Sequence, residues 1–157
     1  MALRVRPVVG PLQFEQTCDL VSYFGKCAQV SPRAKKCGDT VVPREHFRDR
    51  EWCKTGLELF CEVSKGGPGI PNADFALYVT AKDNAVCAEG AAAHGSSCLQ
   101  DQTDRPIAGN LNFCKYHLRK DRRWHSTVAT AVHEILHTLG FSSSMFAFFR
   151  FDDGSPR

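Results

Sequence analysis

The chain has 157 residues, a mass of 17.4 kDa and a net charge of +3 from 20 Lys+Arg against 17 Asp+Glu. That length fits one domain with a core, and 43% hydrophobic with 24% charged residues excludes a wholly disordered chain. The charge is too even to suggest a nucleic-acid partner, while eight cysteines suit a disulfide-braced domain of the secretory route.

Met1 to Arg6 carries the positive start of a signal peptide, but only Val8 and Val9 follow before Gly10-Pro11, too short for its apolar core. This predicts either a cytosolic protein or an internal piece of a longer one. Residues 1–36 are weakly periodic, with Leu12, Phe14, Leu20, Val21, Tyr23 and Phe24 as apolar anchors. Residues 37–69 read as loop. The run Gly66-Gly67-Pro68-Gly69 lacks the Gly-Lys-Ser/Thr ending of a phosphate cradle and reads as a turn.

The segment 74–80 alternates Phe75, Leu77 and Val79 with Ala76, Tyr78 and Thr80; apolar on both faces, it predicts a strand inside a sheet. A second strand is expected over 106–113, demoted to a sheet edge by Pro106 and Gly109. The Ala-, Gly- and Ser-rich stretch 85–104 between them reads as loop. Residues 126–139 predict a helix, with Val128, Ala131, Val132, Ile135, Leu136 and Leu139 as its apolar stripe. Ser126 or Thr127 can cap its start, and Gly140 can end it in the left-handed region. A turn is expected over 152–156.

That helix contains His133-Glu134-Ile135-Leu136-His137. Two histidines four apart project from one helix face and can share one ion, and zinc favours nitrogen ligands. Glu134 sits roughly 100° round the helix from His133, where its carboxylate can take a proton from a water activated by the ion. The competing reading is two histidines that flank a glutamate by chance. Catalytic zinc needs a third protein ligand, and the compact spacing would place it at position 143, which is Ser143. His46, His94, His117, His125, Asp152 and Asp153 are the other candidates, each better read as solvent-facing, so no third metal ligand is assigned in this chain.

The stretch from His133 through Gly140 to Ser142, continuing over Phe146 to Arg150, resembles the active-site segment of leishmanolysin-like metallopeptidases. Asn72 to Thr80, Asp104 to Gly109 with Asn112-Phe113-Cys114, and Cys37-Gly38-Asp39 with Val42-Pro43 resemble the same family in order. The resemblance implies an α+β metzincin-type subdomain, a mixed sheet with the active-site helix, incomplete at its C-terminal part. A cysteine-rich portion over 1–71 would precede strands and helix over 72–157. It implies a zinc-dependent metalloendopeptidase acting on proteins or peptides, with His133 and His137 as ligands of one Zn2+ and Glu134 as general base. The family's third histidine and methionine turn follow a long insertion, so Met145 is not that methionine and the chain resembles a fragment lacking both ends. By the same resemblance, substrate would add as a strand along 107–113, with Ile107, Ala108, Gly109 and Asn110 in contact. The parent is expected in the secretory pathway, at the cell surface or outside it. Cell adhesion and membrane association would come through segments beyond this chain.

The alternatives are a truncated, non-catalytic zinc-binding or interaction fragment, and a disulfide-rich domain whose helix motif is coincidental. No cysteine pair has the Cys-x-x-Cys spacing of a zinc ribbon, and four disulfides could connect in 105 ways. The basic run 119–123 reads as a solvated loop rather than a nucleic-acid patch. The stretch 128–149 has one formal charge, Glu134, but serines and Gly140 interrupt it too often for a membrane-embedded site. The aromatics of 141–151 are expected to pack on partners outside the chain.

Overall fold

The computed structural model describes residues 7–54, 60–118, 124–151 and 153–156. Two compact units make up the chain: residues 1–35 with 41–74, and residues 36–40 with 75–157.

The first unit is held by short ladders, disulfides and ion pairs. β1 (Cys18–Val21) and β2 (Cys27–Val30) form an antiparallel hairpin stapled by Cys18–Cys27. The two-residue strands β3 (Lys36–Cys37) and β4 (Thr40–Val41) fall at the second unit's segment 36–40, and β5 (Arg50–Cys53) and β6 (Cys61–Ser64) follow in the first unit. β5 and β6 pair antiparallel and are closed by Cys53–Cys61. The loop expected over 37–69 is thus broken by ladders of two to four residues, too brief for a hydrophobic period to register. Leu12 and Phe14 are buried, and each bridges a distant segment, Leu12 to Ile70 and Phe14 to Phe47. Glu15 pairs with both Arg48 and Arg50, while Asp49 pairs with Lys65 at 2.7 Å. The lysine ammonium and then the Gly66 amide hold the Asp49 carboxyl below its ordinary pKa.

The second unit is a three-stranded mixed sheet with a long helix. β7 (Ala76–Ala81) precedes the one-turn helix α1 (Ala85–Ala88), β8 (Ala93–Gln100), β9 (Pro106–Phe113) and α2 (Trp124–Thr138). The strand order is β7-β9-β8, with β7 parallel and β8 antiparallel to β9. Three expectations are corrected here. The strand over 106–113 has the expected bounds but lies in the centre of the sheet, while β7, expected inside, is at an edge. Pro106 takes the first strand position, where a missing amide is tolerated, so it does not force an edge. The stretch 85–104 holds a helical turn and an eight-residue strand rather than a loop.

Two strand glycines let α2 lie close on the sheet. A Cβ at Gly95 would come within 2.4 Å of the Glu134 carbonyl oxygen, and one at Gly109 within 2.5 Å of the Thr138 Cβ. Both positions therefore require glycine for packing, and Thr138 is fully buried against the sheet. The opposite face carries Asn110 and Asn112. Asn112 accepts from the Thr80 hydroxyl at 2.7 Å and the Lys82 amide at 3.0 Å, and donates to the Lys82 carbonyl at 2.8 Å. Gly38 packs against Asn110 on that face, where Cys37–Cys98 fastens its turn to β8. Cys87–Cys114 joins α1 to the end of β9, leaving no free cysteine.

α2 begins two residues before the expected cap, and residues 119–123, with the basic run, lie outside the described residues. The stripe expected to face the core is only partly covered: Val128, Val132 and Leu136 are exposed. Phe141, Phe146, Phe148 and Phe151 are exposed too, whereas Met145 is buried, its sulfur accepting from Ser97 and Gln100. No helix among the described residues is long and apolar enough to cross a membrane.

Candidate metal centre

The end of α2 determines the site. Gly140 has φ +100°, a left-handed conformation that glycine adopts without strain. The amide of Gly140 donates to the His137 carbonyl at 3.1 Å, and that of Phe141 to the Leu136 carbonyl at 3.0 Å. These two bonds are a Schellman turn, which satisfies the last helical carbonyls. The turn swings the Phe141 carbonyl back toward the helix, 2.7 Å from His137 Nδ1. A carbonyl only accepts, so Nδ1 carries the proton and His137 Nε2 presents its lone pair outward.

That lone pair meets its neighbour one turn earlier. His137 Nε2 lies 3.0 Å from His133 Nε2, with the two rings nearly perpendicular. Nitrogens about 2.0 Å from a tetrahedral ion would stand about 3.3 Å apart, so this pair fits two positions of a zinc shell with little movement. Without an ion the same contact is satisfied by a proton on His133, which a bound metal would displace. Glu134 is half-buried beside Gly95, and among the described residues nothing hydrogen-bonds or ion-pairs with its carboxylate.

The remaining candidates are engaged elsewhere. His94 is on the sheet face opposite α2, with Nε2 2.9 Å from the Asn84 side-chain amide. His46 packs edge-on against Phe14, His117 against Tyr116, and His125 lies two turns before His133. Asp153 accepts from the Ser155 hydroxyl and amide, which hold its carboxyl below the ordinary value. Asp152 lies outside the described residues, and Ser143 opens a 3-10 helix. Among the described residues, the one cluster of three metal-capable groups is Glu51, Cys53 and Cys61, whose sulfurs are joined in a disulfide.

Ile107, Ala108, Gly109 and Asn110, where substrate contacts are expected, lie on the central strand of the sheet. All four are buried, and both edges of β9 are already hydrogen-bonded, leaving no backbone groups for another strand. Among the described residues the outer edges of β7 and β8 are unpaired, and β8 is the strand whose Gly95 meets Glu134. The sequence reading also missed the Phe141 carbonyl; its signal was Gly140, placed where a helix terminus turns back on itself.

Gly140→Ala should therefore weaken metal binding without unfolding the sheet. Loss of a ligand's outer hydrogen bond typically lowers metal affinity about 10–100-fold. Competition with a chromophoric chelator measures this against the unmodified chain.

A model of the leishmanolysin peptidase family matches residues 36–153. The chain is 37% identical to a leishmanolysin-like peptidase of Drosophila pseudoobscura pseudoobscura, an alignment covering 99% of this chain and 24% of that protein. It is 37% identical to a leishmanolysin-like peptidase of Caenorhabditis elegans, over 99% of this chain and 25% of the relative. A ciliated left-right organizer metallopeptidase of Xenopus laevis is 37% identical over 78% of this chain and 18% of its own length. The chain thus spans about a quarter, or less, of the length of these relatives.

Proposed function

The chain belongs to the leishmanolysin family of metallopeptidases, and from that membership we propose that it is the metal-binding segment of a zinc-dependent endopeptidase with the metzincin arrangement. The observation that carries the reading is the convergence of two Nε2 atoms at 3.0 Å, with the Phe141 carbonyl fixing the tautomer of one. His133 and His137 would hold the ion. When bound, zinc polarises a carbonyl and lowers the pKa of water to about 7.

The protein's own groups do the rest. Glu134 accepts a proton from the attacking water on its carboxylate and returns it to the leaving amine. A substrate backbone lies extended along the outer edge of β8, where strand addition brings a peptide bond past Glu134. Four disulfides suit an oxidising compartment, which supports a secretory route for the parent.

The lack of a third ligand near His133 and His137 among the described residues favours a second reading for the 157-residue chain by itself: a weak metal-binding segment without useful turnover. A longer protein carrying this chain should cleave casein internally, lose that activity with a chelator and regain it with zinc. The isolated chain should leave casein intact. Chelator-insensitive cleavage by the longer protein would refute the zinc-dependent reading, and absence of cleavage would refute the peptidase reading.

A further inference from the structure

The first unit contains a cavity of about 720 Å³ that the metal site does not use. Its volume is that of a small-molecule pocket, for which about 300–1,000 Å³ is usual. Val30, Val41, Phe47 and Trp52 supply apolar wall, with Phe47 buried and Trp52 half-buried. Arg33, Lys35 and Arg44 supply the charge, and no aspartate or glutamate lines the cavity. Of the carboxylates nearby in the chain, Glu15 pairs with Arg48 and Arg50, and Asp49 with Lys65.

Lys35 is the decisive group. Its carbonyl accepts from the Val42 amide at 2.9 Å, which fixes its backbone at the cavity wall. Its side chain is half-buried, and among the described residues no carboxylate pairs with it. Desolvation holds its ammonium below the ordinary lysine pKa. A partly desolvated cation without a counter-charge is unfavourable, and an anion entering the cavity relieves that. Arg44 donates from Nε and Nη2 to the Lys65 carbonyl at 3.1 and 3.0 Å, which orients its guanidinium.

We propose that this cavity binds a small lipophilic carboxylate, its apolar body against Phe47 and Trp52 and its carboxylate against Lys35 and Arg33. A bare inorganic anion would leave the apolar walls wet, and a lipophilic cation would meet three like charges. The site stands apart from the proposed peptidase chemistry and is tested without it.

Trp52 provides the readout. The chain has two tryptophans, and Trp124→Phe removes the exposed one on α2. The 157-residue W124F chain is titrated with decanoate, decylamine and inorganic phosphate while Trp52 emission is followed. Decanoate should give a saturable change, and the other two none. Lys35→Met should weaken decanoate at least tenfold, Lys35→Arg should restore most of it, and far-ultraviolet circular dichroism should match in all three. A flat decanoate titration overturns the proposal. So does equal binding of decylamine, saturation by phosphate alone, or unchanged affinity in Lys35→Met.

Discussion

Glu134→Gln in a longer protein carrying this chain is expected to lower casein cleavage by about 10²–10⁴-fold, the range for losing a positioned acid–base group. Zinc content should not change, because the proposed ligands are His133 and His137, whose Nε2 atoms face each other at 3.0 Å. The amide keeps the size of the carboxylate but cannot take a proton from water at neutral pH. Glu134 makes no ion pair or side-chain hydrogen bond among the described residues, so the substitution leaves none unpaired. Stability should therefore stay within about 0.5 kcal/mol of the parent. A fall in zinc content equal to the fall in rate would instead make Glu134 a determinant of metal retention.

The second large effect is on stability. Cys37 and Cys98 are separated by 61 residues, and Cys37 is fully buried. Closing a loop of that length restricts the unfolded chain by about 4 kcal/mol in the loop-entropy account. Replacing both by Ala should thus lower unfolding free energy by about 4 kcal/mol in urea titrations. It also loosens the Gly38 turn, which packs directly on Asn110. The Cys18–Cys27 bridge closes a separation of only nine, and its removal should lower stability by about 2.5 kcal/mol. The ranking is the test: equal effects from the two pairs would mean that the long bridge does not restrain the unfolded chain.

What could be read from the sequence followed the range of the interaction involved. Helix α2 was legible because its 3.6-residue period, the His133–His137 spacing and Gly140 are all local. The bounds of β9 were legible for the same reason. Its central position was not, since a strand's neighbours are decided by chain closure over tens of residues. β8 escaped notice because its composition serves the helix above it: Gly95 is there to admit the Glu134 backbone, and glycine weakens any strand signal. The apolar stripe of α2 was read as core, yet Val132 is 52% exposed, because periodicity tells which residues share a face but not what covers it. The four disulfide pairings could not be derived from spacing at all.

Zinc titration of the 157-residue chain, with ligand type read by X-ray absorption, tests the metal site most directly. The predicted result is one weakly held ion per chain with two imidazole nitrogens in its shell, lost in both His133→Ala and His137→Ala. Undiminished zinc binding in either variant, or a shell without paired imidazoles, would contradict it.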